Sequence, residues 1–265
     1  MNVYKHELKT NYKTALVWIV TLCGIASMIM AFFPMMKAEM DIFVKMMDSF
    51  PPVMKAMMGI VVENFNTSIG YYTFAFTYTV LFGAIQAMNL GIGIVSKEER
   101  ERTADFLLTK PISRVKILTS KLLSALTIFI ITNITYSAVS AVFVVSMSDG
   151  NFALTEFVLI NASLFLTQLI FFSIGLSISV LAKKIKTVLP VSLGLVFAFF
   201  AISAFAVTST DDKLRYLTPF QYFKTDYILA QGKYETVYAI IGLSIIIGGI
   251  IASYAIYKRR DVHSV

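Results

Sequence analysis

Residues 156–182 read EFVLINASLFLTQLIFFSIGLSISVLA. After Glu156 the next 26 residues carry no charge. A bilayer core of about 30 Å needs about 20 helical residues, so this run is long enough to cross one. It ends at Lys183, Lys184 and Lys186, a basic cluster of the kind retained on the cytoplasmic face. Beyond it lie two more apolar runs, 188–207 and 236–257. Before it lie three, 15–33, 71–95 and 117–146. The runs at 117–146 and 156–182 exceed the required length, so they tilt or project. The expected fold is an all-α integral membrane protein with six transmembrane helices in a single transmembrane domain.

Composition agrees. Of 265 residues, 57% are hydrophobic and 15% charged, against about 25% charged in soluble domains. This excludes a soluble enzyme, a disordered chain and a small disulfide scaffold. Cys23 is the sole cysteine, so no intramolecular disulfide or CxxC site exists. His6 and His263 sit at the two ends, far from any span. The net charge of +7 comes from basic residues flanking apolar runs, which reads as topology and not as a nucleic-acid surface.

The basic residues divide unevenly. Lys5, Lys9, Lys13, Lys97, Arg100, Arg102, Lys110, Arg114, Lys116, Lys121, Lys183, Lys184, Lys186, Lys258, Arg259 and Arg260 fall on one side, sixteen in all. Seven fall on the other: Lys37, Lys45, Lys55, Lys213, Arg215, Lys224 and Lys233. The expected orientation places both termini in the cytoplasm, in a multi-pass protein of the cell membrane. The first run is full length and is followed by Phe32-Phe33-Pro34, so it is read as a span and not as a cleaved signal peptide. Before it, Lys5, Lys9 and Lys13 form a basic stripe beside Tyr4, Leu8 and Tyr12, predicting an interfacial helix over about 2–13. Two outer segments, about 35–70 and 208–235, complete the layout. The first holds eight of the thirteen methionines. That suits an adaptable apolar cap over the outer vestibule; a Cu(I) thioether site lacks cysteine or histidine support. The second is aromatic, with Tyr216, Phe220, Tyr222, Phe223 and Tyr227, as interface anchors are.

With Lys121 counted to the cytoplasmic flank and Glu156 to an edge, no Asp, Glu, Lys, Arg or His lies within a span. That argues against proton-coupled pumps and intramembrane aspartyl or metalloproteases. A rhomboid-like hydrolase would need a histidine at membrane depth. No GxxxxGK[ST] loop is present, so the chain is expected not to be an enzyme itself. No catalytic, metal or cofactor residue is assigned. The spans do carry neutral polar residues, among them Gln86, Asn89, Asn133, Asn161 and Gln168. These either hydrogen-bond between helices or line a polar translocation path. Small-residue stripes, Gly83/Ala87/Gly91 and Ser244/Gly248/Ala252, favour close helix contact.

The loop between spans two and three is the most informative. It contains Glu98, Glu99, Arg102, Thr103, Asp105, Phe106, Leu107, Leu108, Pro111, Ile112, Ser113 and Arg114. Thr103 suits an N-cap, Asp105 suits the positive end of a helix dipole, and Pro111 stops the helix. Six or so residues cannot span a membrane, and Phe106, Leu107 and Leu108 need lipid or a protein partner.

This stretch resembles the loop between the second and third spans of ABC-2-type exporter permeases. That pattern runs Glu-Glu, Gly-Thr, an acidic residue before two leucines, then Pro-Ile-Ser-Arg and a lysine at the start of the next span. Glu98, Glu99, Thr103, Asp105, Leu107, Leu108, Pro111, Ile112, Ser113, Arg114 and Lys121 match; Arg102 stands where the family has Gly, and Asp105 where it has Glu. The resemblance implies the ABC-2 exporter permease fold and makes the loop a coupling helix seated in a separate ABC ATPase subunit. Phe106, Leu107 and Leu108 would be its buried anchors, with Glu98, Glu99 and Arg114 at the rim. It further implies two ATPase copies holding ATP and Mg2+, no cofactor on this chain, and a second permease chain, homo- or heteromeric, in the lipid bilayer. With uncharged spans, an amphipathic or hydrophobic substrate is expected: an antimicrobial or cytolytic peptide of the phenol-soluble modulin kind first, a lipophilic drug next, sodium last. A different class stays open, a membrane sensor or immunity protein that binds a peptide without moving it and needs no ATPase.

Overall fold

The computed structural model describes residues 3–58, 60, 65–100, 113–148, 153–182, 185–209 and 212–259. They form helices α1 (Val3–Ala31), α2 (Phe33–Ala38), α3 (Met40–Asp48), α4 (Pro52–Met58), α5 (Ser68–Arg100), α6 (Arg114–Ser146), α7 (Leu154–Leu181), α8 (Val188–Thr208), α9 (Thr225–Gln231) and α10 (Thr236–Arg259). Two 3-10 turns, Asp212–Leu217 and Pro219–Gln221, precede α9, and no strand occurs among the described residues. Six helices are long and apolar enough to cross a membrane: α1, α5, α6, α7, α8 and α10. At 1.5 Å per residue, the 33 residues of α5 and of α6 reach roughly 50 Å, well beyond a bilayer core.

Two expectations change. The interfacial helix expected over about 2–13 does not stand apart: from Val3 onward these residues are the first turns of one helix continuous with the first span. Its lysines face outward, while Val3 and Glu7 are buried. Nothing in this segment breaks a helix, since it contains neither Pro nor Gly before Gly24. Lys121 is also not a flank residue. It sits two turns into α6 and is fully buried.

The helices divide into an inner pair and an outer set. Within the apolar windows, 72% of α5 and 61% of α7 are buried by protein, against 22% of α8 and 11% of α10. Leu16, Val20, Phe197, Ile240 and Ile251 accordingly present apolar surface outward, as lipid-facing side chains must. The α5–α7 contact is made by backbones. A Cβ on Gly91 would stand 2.5 Å from the Phe172 carbonyl oxygen, and one on Gly175 would stand 2.8 Å from that of Met88. Only hydrogen at these positions lets the helices approach so closely. The stripe Gly83/Ala87/Gly91 is therefore interior, whereas Ser244, Gly248 and Ala252 lie on the exposed face of α10. Helix α1 packs along α6: Leu22 and Met30 share one cluster with Tyr136 and Val144.

Glu7 of α1 meets Lys121 of α6, and Thr119 of α6 meets Tyr254 of α10 at 2.7 Å. The start of α1, the start of α6 and the end of α10 thus share one side, here called the terminal side. On the far side the methionine-rich segment folds into α2, α3 and α4. Met47 is buried there, and Phe43 stacks on Phe65 at 4.7 Å. The aromatic segment before α10 is tied down by specific contacts. Arg215 pairs with Glu235 at 2.6 Å and lies 4.1 Å over the Tyr238 ring. Tyr234 donates to the Leu159 carbonyl at 2.6 Å; burial pushes its hydroxyl up to about 12, so it stays a donor at neutral pH.

Candidate functional site

Most of the expected coupling helix, including Thr103, Asp105, Phe106, Leu107, Leu108 and Pro111, lies outside the described residues, as do the side chains of Glu98 and Glu99. Its two anchors are in view. The first is α5, which continues to Arg100. The second is α6, which begins at Arg114. There the Ser113 hydroxyl caps the helix by accepting from the Lys116 backbone N–H at 3.3 Å.

Just inside these anchors, three helices are tied to α5. The Lys121 ammonium donates to Glu7 at 3.1 Å and to the Ile94 carbonyl at 2.6 Å. One residue pair thereby joins α1, α6 and the last turns of α5. Both side chains of the ion pair are almost wholly buried, where removing one partner strands the other's charge at a cost of about 3–5 kcal/mol. From the other side α7 contributes Ser179, which accepts from the Ser96 backbone N–H at 3.1 Å and donates to the Ile92 carbonyl at 2.8 Å. That donor and acceptor stand one i→i−4 step apart on α5, so the Ser179 hydroxyl grips both ends of one helical turn. The Ser96 hydroxyl adds a bond of its own, 2.6 Å from the same Ile92 carbonyl. The segment that leads into the loop is thus held by side chains from α1, α6 and α7.

Deeper in, the polar residues expected as glue or path form two rungs. In one, Asn161 Oδ1 stands 3.1 Å from the Tyr72 and Ser137 hydroxyls, and Tyr72 stands 3.1 Å from Tyr136. In the other, Asn133 donates to Gln168 at 2.6 Å and Gln168 to Gln86 at 3.0 Å, with Thr132 3.4 Å from Gln86. Each rung joins α5, α6 and α7. Four of the five singled-out residues are therefore bonded to neighbouring helices, the geometry of interhelical glue. Asn89 differs: it opens into a cavity.

That cavity, about 250 Å³, lies between α1 and α5 toward the terminal side. Asn11, Thr14 and Trp18 line one wall, and Gln86, Asn89 and Lys97 the opposite one. Glu7 and Ile94, the two partners of Lys121, also border it. The ion pair therefore forms part of the cavity wall.

Sequence reasoning missed Glu7, Ser179 and Trp18, and took Lys121 only as a flank lysine of the loop pattern. A signal existed for two of them. Lys121 falls inside the predicted third span, 117–146, and Glu7 occurs at helical spacing from Asn11, on the face opposite the lysine stripe. Ser179 and Trp18 gave no such signal, since a serine or tryptophan near a span end is ordinary.

No curated protein matches the chain. Compared with known families, it matches the ABC-2 family transporter proteins over residues 1–262, almost its whole length, and so includes all six spans and the tied segment before the loop. The chain belongs to the ABC-2 family of transporter permeases, the membrane subunits of ABC transporters.

Proposed function

We propose that this chain is the transmembrane subunit of an ATP-driven exporter, moving an amphipathic or hydrophobic substrate out of the cell. A peptide is the first choice and a lipophilic drug the second. The observation that carries the reading is the family match over 1–262. The terminal side is the cytoplasmic side, by the sixteen-to-seven division of basic residues. Residues 98–114 dock on a separate ABC ATPase subunit, with Phe106, Leu107 and Leu108 as anchors. Two such subunits hold ATP and Mg2+, and two permease chains complete the complex in the cell membrane. The joint at Ile92–Ser96 supports this reading physically. A loop that is pushed can move helices only if its lead is tied to them, and here it is tied to α1, α6 and α7.

The test is co-purification of tagged chain from its native membrane, wild type beside Leu107→Asp/Leu108→Asp. A P-loop ATPase should accompany the wild type and be absent from the variant, whose thermal unfolding should match that of wild type. If no ATPase accompanies either well-folded protein, the exporter reading fails.

A further inference from the structure

The cavity between α1 and α5 has a chemistry that the interhelical contacts leave unused. Its wall combines a carboxylate, an ammonium, three side-chain amides, an indole and several aliphatic side chains. The carboxylate, Glu7, is already engaged by Lys121 at 3.1 Å. Lys97 is half-buried at the terminal end of the same wall, and no ion pair or hydrogen bond engages its ammonium among the described residues. Among the described residues, Glu7, Lys121 and Lys97 together leave one positive charge beside the cavity. The Asn89 amide and the Trp18 indole N–H also face no hydrogen-bonding partner among the described residues. Gln86, Asn89, Gly93 and Lys97 follow one another at helical spacing on α5, opposite Asn11, Thr14 and Trp18 on α1. At Gly93 nothing lies within 4 Å of an added Cβ, so the glycine leaves room there and not a close contact. The result is a recess with amide and indole donors beside apolar side chains and the Lys97 ammonium at its terminal end.

A volume of about 250 Å³ falls below the roughly 300–1,000 Å³ of a pocket that encloses a whole small ligand. It fits one end of a longer molecule. We infer that this cavity binds the anionic end, a carboxylate or a phosphate, of an amphipathic chain. Lys97 is its counter-ion, Asn89 and Trp18 donate hydrogen bonds, and Leu90, Ile94 and Val188 take the adjoining apolar part. The inference rests on the permease reading above and names the end of the substrate that the cytoplasmic side receives first. The same anionic chemistry could reach the cavity as a lipid headgroup, and the test separates the two sources.

Trp18 is the only tryptophan of the chain, so its fluorescence reports on the cavity directly. The full chain in phosphatidylcholine nanodiscs is titrated with N-octanoyl-glycyl-leucine and, separately, with the C-terminal amide of the same compound. The carboxylate form should give a saturable change in Trp18 emission, and the amide should bind about tenfold more weakly or worse, as loss of a charge-assisted contact implies. Lys97→Gln should abolish that preference, and Asn89→Leu should weaken both forms alike. Both variants should melt like wild type. Equal binding of acid and amide, or a preference that survives in Lys97→Gln, overturns the inference. Nanodiscs containing phosphatidylglycerol form a further arm. A Lys97-dependent emission change without added peptide, blocking the titration, would overturn the substrate assignment in favour of a lipid phosphate. An emission change that ignores the lipid leaves the substrate assignment standing. Because binding is read without any ATPase, loss of transport with intact binding would sink only the permease reading. Intact transport without binding would sink only this site.

Discussion

The centre of the molecule and its terminal side hold helices together by opposite means. In the centre, α5 and α7 touch backbone to backbone through Gly91 and Gly175, and two rungs of neutral polar groups add hydrogen bonds to α6. Each such bond is worth about 0.6–2 kcal/mol at membrane depth, and each rung contains several. On the terminal side a buried ion pair, Lys121 with Glu7, joins α6 to α1 beside the Tyr4–Thr127 hydroxyl bond and reaches α5 through the Ile94 carbonyl. The centre is held by many neutral bonds; the terminal side adds to its hydroxyl bonds a buried charged tie that borders a cavity and stands next to the loop.

The largest effect is expected at Lys121. Lys121→Met should cost about 3–5 kcal/mol, because it leaves the Glu7 carboxylate buried without its cation. Adding Glu7→Gln should recover most of that loss, since two neutral groups replace one orphaned charge. Unfolding of Lys121→Met, Glu7→Gln and the double variant in detergent measures both effects. Additive losses would mean that the pair is not coupled, and the terminal side would then resemble the centre.

Next comes the closed core. Gly91→Ala places a methyl group against the Phe172 carbonyl and should cost about 1–3 kcal/mol through forced separation of α5 and α7. Asn161→Leu removes the acceptor shared by Tyr72 and Ser137. It should cost about 1–2 kcal/mol, while leaving Lys97-dependent binding in the cavity unaltered. The smallest effect is expected at Gly248. Nothing lies within 4 Å of a Cβ there, so Gly248→Ala should stay within about 0.5 kcal/mol of wild type in the detergent-solubilised single chain. A larger change would show that this face of α10 is packed against protein.

The six spans were legible because lipid imposes a length and a composition that no tertiary contact overrides; the runs at 188–207 and 236–257 sit within two residues of α8 and α10. The interior role of the Gly83/Ala87/Gly91 stripe was legible for a similar reason, since small residues have one main use between membrane helices. The terminal-side site was less so. Lys121 was read as part of a basic flank because charge counting treats every lysine near a span end alike, and only the fold brings Glu7, 114 residues earlier, to meet it. The amphipathic residues of the N-terminus pointed to a separate helix on lipid, whereas an unbroken helical segment extends into the first span. The cavity has no sequence signature: only the fold sets Gly93, with nothing within 4 Å of an added Cβ, opposite the polar residues of α1. The family of the chain was readable from the loop at 98–114, whose pattern is local and survives without any knowledge of packing.

The most direct test of the account is ATP-driven uptake into inverted membrane vesicles. The vesicles would contain this chain with its ATPase partner, and the substrate would be a fluorescent amphipathic peptide with a free carboxyl terminus. Uptake should require ATP and be lost in Leu107→Asp/Leu108→Asp while the chain remains inserted. Peptide that enters equally without ATP, or equally in vesicles lacking the chain, would rule out an ATP-driven exporter.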